Sequence, residues 1–184
     1  LANMVLTSSR YSDGPIFCRY HKGEGEGVDI KQSLDIIEMG TGRIVKKGKD
    51  LAIFALGTRV GVALKVEDNL LAEGLSLTVA DARFAKPIDT ELLEDLWKNH
   101  SKLIIIEEGS VGGFSSHCLH FLSSKGILNN GNKEIRCLTM PDYFQDQASQ
   151  NEQLAKAGLD VVGLTNTIKE ILPLSKLNND MAVK

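Results

Sequence analysis

Residues 102–109, KLIIIEEG, set four large apolar side chains in a row, Leu103 to Ile106, between a lysine and two acids. The run is too short for a buried helix and is rich in β-branched residues, so it reads as a strand. It shows no alternation of apolar and polar residues, so both faces of that strand must be covered. Such strands belong to parallel sheets with helices on each side. That requirement organises the rest of the chain.

Two more apolar runs fit the same sheet, DLAIFALG (50–57) and LSLTVADAR (75–83). Between them, TRVGVALKVEDNLLAEG has helical spacing at Val62, Val66, Leu70 and Leu71 and stops at Gly74. The loop FAKPID follows, with Lys86 before Pro87 held extended. Asp89 or Thr90 then caps a helix over TELLEDLWKNH. SVGGFSSHCLHFLSSKG reads as a loop feeding a helix, EIRCLTMPD as a strand, and NEQLAKAG and DVVGLTNTIKEIL as closing helices. TGRIVKKG reads as a strand joined to DLAIFALG by a tight turn at Gly48, antiparallel to its neighbour. Strands alternating with helices give an α/β fold: an open, mostly parallel sheet with one antiparallel strand and helices on both faces.

Upstream, LANMVLTSSRYSDGP reads as the end of a helix running into a Gly-Pro turn, and PIFCRY (15–20) as a short strand ended by the glycines of GEGEG. A start in mid-helix without Met leads us to expect further sequence before it. The domain reading is a last strand of a preceding domain over 1–28, a linker over 29–39, the α/β domain over 40–173 and a tail over 174–184.

Net charge is −3, with no basic stripe, which argues against nucleic acid or an anionic membrane as the main partner. No apolar run is long enough to span a bilayer. The three cysteines, Cys18, Cys118 and Cys137, are odd in number and form no Cys-x-x-Cys, as suits a reducing compartment. Each reads as a small buried apolar residue rather than a nucleophile.

Several chemical candidates fall away. His117 and His120 sit three apart on a helix with no acid at ligand spacing, so no metal site is expected. EEGSVGG lacks the Gly-x-Ser-x-Gly spacing of a nucleophile elbow. The glycines of GSVGGF follow a strand and open a helix. Their free N–H groups could hold an anion, or they could allow close packing against another subunit with Phe114 as the apolar anchor. Glu107 and Glu108 stand at a strand's carboxyl end, where open sheets bind ligands, and capping or interface hydrogen bonds explain them equally well. Asp81 and Arg83, two apart at another strand end, suggest a structural pair.

The order DGPIFCRYHKGEG, GRIVKKGKDLAIFALGT, VADARFAKPID, LIIIEEGSVGGFSSH, MPDYFQDQASQNEQLAKAGLD resembles the carboxyl-terminal part of the 1-deoxy-D-xylulose-5-phosphate synthases, of the transketolase superfamily. The likeness covers nearly the whole chain, to about Leu172. ARFAKPID, EEGSVGGFSSH and PDYF are specific as a set; each alone is shared with transketolases and 2-oxoacid dehydrogenase β subunits. The resemblance implies condensation of pyruvate with glyceraldehyde 3-phosphate, loss of carbon dioxide, and 1-deoxyxylulose 5-phosphate for isoprenoid, thiamine and pyridoxal synthesis. It implies thiamine diphosphate, Mg2+, a cytoplasmic (or plastid) homodimer, and residues 1–28 as the end of the pyrimidine-binding domain. The glutamate that activates the cofactor and the metal–diphosphate site would lie upstream, leaving no catalytic, cofactor or metal residue in this chain and no activity for it alone.

The resemblance also supplies a role for RYHKGEG. The family pattern is Arg-Tyr-Pro-Arg-Gly, whose second Arg contacts the substrate phosphate; Lys22 stands there. A cation beside flexible glycines suits a phosphate, though Lys lacks the planar fork of Arg and His21 replaces the Pro that would fix the turn. The bland alternative is a solvated turn residue. Arg19 reads first as part of the strand and is the second candidate for the phosphate. Ala148 stands where the family has a glycine turn after PDYF, so that loop is expected to differ. Two rivals stay open: a stand-alone dimerisation or regulatory module, and a 2-oxoacid dehydrogenase E1 β-subunit fragment.

Overall fold

The computed structural model describes residues 1–21, 33–129 and 131–172 of the 184. In chain order the elements are α1 (Ala2–Arg10), β1 (Arg43–Lys46), β2 (Leu51–Ala55), α2 (Arg59–Leu71), β3 (Leu77–Asp81), α3 (Thr90–Asn99), β4 (Lys102–Ser110), α4 (Phe114–Ser124), a short 3-10 turn (Ile127–Asn129), β5 (Glu134–Met140), α5 (Gln150–Lys156) and α6 (Val161–Ile171).

The strands form one five-stranded sheet in the order β1-β3-β2-β4-β5. β2 runs parallel to both β3 and β4, and β4 parallel to β5. β1 alone is antiparallel. The unbroken apolar runs are explained by two cores, one on each face. Leu51, Ile53, Ala55, Ile104 and Ile106 point to the face covered by α2, α5 and α6, with Val66, Leu70, Leu154, Leu164 and Ile168. Ala52, Phe54, Leu103 and Ile105 point to the face covered by α3 and α4, with Leu93, Trp97, Cys118 and Leu122. Because successive strand side chains alternate in direction, a strand with helices above and below must be apolar at every position.

The antiparallel strand is as the sequence suggests, but its partner is not. β1 pairs with β3, placing Arg43 opposite Asp81 and Ile44 opposite Ala80, and does not touch β2 as a hairpin would. Both sides of β2 are taken by its parallel neighbours, so β1 joins at an edge of the sheet, on the outer side of β3. The Gly48 turn is a crossing rather than a hairpin. Gly48 N–H donates to Thr78 Oγ1 at 3.0 Å, and Lys49 and Asp50 N–H both donate to the Ser76 carbonyl. A side chain at Gly48 would collide with the Leu77 backbone. Nearby, the carboxylate of buried Glu67 on α2 is met by Lys46 Nζ from the edge strand, at 3.1 Å.

Helix ends follow ordinary capping chemistry. Asp89 caps α3 through Leu92 N–H at 2.8 Å and also takes Gly42 N–H at 2.7 Å, tying the entry of β1 to the helix. Ser149 and Glu152 form a reciprocal capping box on α5. Asp160 caps α6 through Gly163 N–H.

Residues 15–20 do not form the expected strand. Phe17 is 95% exposed and Tyr20 also faces solvent. A strand needs a neighbour for its backbone groups, and no described strand lies beside this one. α1 is present, and its Thr7 hydroxyl takes Ile37 N–H at 2.9 Å. Among the described residues, no helix is long and apolar enough to cross a membrane.

Candidate functional site

The carboxyl ends of β2 and β4 lie side by side, and their outgoing loops diverge. The loop after β2 leads to α2 on one face, and the loop after β4 leads to α4 on the other. This divergence is the point at which open α/β sheets form a crevice. Two acids at the end of β4 dominate it.

Glu107 is 4% exposed. Its carboxylate accepts Phe114 N–H at 3.1 Å, Ser115 N–H at 2.8 Å and the Ser115 hydroxyl at 2.8 Å. The free N–H groups at the start of α4 therefore do hold an anion, and the anion is the chain's own side chain. Helix dipole and hydrogen bonds both favour a carboxylate there. The glycines make the room. A Cβ on Gly109 would lie 2.5 Å from Glu107 Oε2, and one on Gly113 would lie 2.7 Å from the same atom. The glycine-rich motif is thus the cradle of a buried carboxylate.

Glu108 faces the other way. It accepts a short hydrogen bond from the Thr58 hydroxyl and one from Gln150 Nε2 at 3.2 Å, and lies 3.6 Å from Arg59 Nη2. Arg59 is 6% exposed and also donates to the Leu159 carbonyl at 2.5 Å. Burial lowers the pKa of its guanidinium, while Glu108 and then Asp160 oppose that shift. Glu108 thereby joins the loop after β2, the first turn of α2 and the first turn of α5. Beside it, Arg59, Val62, Asn151, Leu154 and Asp160 help line a shallow, open cavity of about 480 Å³.

Asp81 pairs across the sheet with Arg43 at 3.2 Å rather than with the Arg83 side chain. It accepts Arg83 N–H at 3.1 Å, and Arg83 sits at φ +57. The Asp–Arg pair expected from sequence spacing is therefore a cross-strand pair plus a backbone clamp. The turn at Arg83 sends its side chain off the strand's repeat.

Phe114 is not a surface anchor. It is 2% exposed and packs on Phe54, ring centroids 5.2 Å apart. The large apolar residue that this loop does expose is Val111. His117 and His120 are both exposed on α4. Among the described residues no group of three or more His, Cys, Asp or Glu could hold a metal. Cys118 and Cys137 are buried and half-buried, and burial pushes both thiols up, with Glu107 adding to the shift. Cys18, expected inside, is exposed at 3.0 Å from the Ser8 hydroxyl, because the segment carrying it joins no sheet. Arg19 is exposed in irregular chain. Lys22, the first candidate for a substrate phosphate, lies outside the described residues.

Sequence reasoning missed Thr58, Arg59 and Gln150. One signal was available: Arg59 is a cation in the first turn of a helix, where the dipole disfavours it, and such a placement needs an acid nearby.

Fold and site define a doubly wound α/β domain whose glycine-rich turn serves an internal carboxylate. A family model for "Transketolase, C-terminal domain" matches residues 40–164, and the chain belongs to that family. Among solved structures it is similar to a chain titled "Split gene transketolase, inactive beta4 tetramer", at 30% identity and a TM-score of 0.66. The match covers 76% of this chain and 45% of that one, so the chain spans less than half the length of that relative. Transketolase-family enzymes depend on thiamine diphosphate. At the start of α4 the Phe114 and Ser115 N–H groups are already taken by Glu107 and are not free for a phosphate.

Proposed function

We propose that the chain is the carboxyl-terminal domain of a 1-deoxy-D-xylulose-5-phosphate synthase, which condenses pyruvate with glyceraldehyde 3-phosphate and releases carbon dioxide. What carries this reading is the ordered set ARFAKPID, EEGSVGGFSSH and PDYF on a transketolase-type domain. On this reading thiamine diphosphate and Mg2+ are held by other parts of the polypeptide, and the enzyme is a homodimer. Residues 1–28 end the pyrimidine-binding domain, and Lys22, with Arg19 as second candidate, meets the aldehyde's phosphate. The chain's own residues serve the shape of the domain: Glu107 fixes the turn into α4, and Glu108 ties three elements at the crevice. The test is to give the polypeptide that carries this domain pyruvate with and without glyceraldehyde 3-phosphate and follow carbon dioxide. Release that depends on the aldehyde supports the reading. Ketol transfer between sugar phosphates, with no decarboxylation, overturns it.

A second reading is favoured by the relative titled an inactive β4 tetramer. On that view the domain acts as a non-catalytic assembly module. A purified chain of residues 1–184 that is a stable oligomer, in a cell where no longer polypeptide carries it, would support this alternative.

A further inference from the structure

We draw no further inference here: the strongest candidate, the exposed apolar side chains Val111, Tyr143 and Phe144 on the loops that follow β4 and β5, carries nothing because nothing in the structure shows what covers them.

Discussion

Removing the Glu107 carboxylate should cost the domain more than any surface change, and the loss should be relieved at a second site. Glu107→Ala leaves two buried N–H groups and one hydroxyl without their acceptor. An unsatisfied buried polar group costs about 1–3 kcal/mol. Three such losses are not additive, and water will enter part of the space, so about 3 kcal/mol is expected. For a chain of this size that is about 6–12 °C in Tm. Gly109→Ala should also destabilise, by about 1–3 kcal/mol, because its new methyl strikes a carboxylate that three hydrogen bonds hold in place. The three nearest atoms to that methyl all belong to Glu107. In the Glu107→Ala background the same Gly109→Ala change should therefore cost less than about 0.5 kcal/mol. Urea denaturation of the four proteins closes the cycle. Additive losses, or a Glu107→Ala loss below about 1 kcal/mol, would refute the cradle.

Other expectations follow from single contacts. Ile105→Ala, at the centre of the α3–α4 face, should lose about 2–5 kcal/mol in the same denaturation assay. Arg59→Lys keeps the charge but not the fork that reaches Leu159, Thr58 and Glu108, and should lose about 1–2 kcal/mol. A hydrogen bond from Lys102 holds the Glu134 carboxyl below its ordinary pKa, so its folded value lies under the unfolded one. That pair stabilises above the unfolded pKa and is lost as pH falls through the folded one; Lys102→Met should flatten this acid-side fall in Tm. In the enzyme we propose, Lys22→Ala should raise the aldehyde KM about tenfold to a hundredfold and leave pyruvate unaffected, while Lys22→Arg is neutral or better. Less than a twofold change would place Lys22 in water.

The fold was legible wherever burial dictates residue type. LAIFA and LIII are apolar at every position, and LTVA at all but Thr78, because helices cover both faces, and that pattern survives in sequence. The partner of β1 was not legible. A four-residue strand with half its side chains exposed carries no mark of which edge it joins, and the glycine that suggested a hairpin serves instead to pass Leu77. PIFCRY looks like a strand because its residues suit one, but pairing depends on a neighbour that sequence does not name. At the site, Glu107 and Glu108 and the glycines were visible as a group at a strand end. Their assignment was not, since the same glycines serve a foreign anion, an interface or an internal carboxylate, and only the hydrogen bonds to Phe114 and Ser115 decide. Phe114 shows the same limit: an aromatic at a helix start reads as an anchor until the core beneath it is seen.

Product identity tests the account most directly. The polypeptide that carries this domain, supplied with thiamine diphosphate, Mg2+, carbon-13-labelled pyruvate and glyceraldehyde 3-phosphate, should convert the label at C2 of pyruvate into the ketone carbon of 1-deoxyxylulose 5-phosphate, read by NMR. With a lipoyl acceptor and a ketose phosphate added to the same mixture, label found only in an acyl group passed to the lipoyl acceptor, or no product from pyruvate while the ketose passes two-carbon units to the aldehyde, would contradict it.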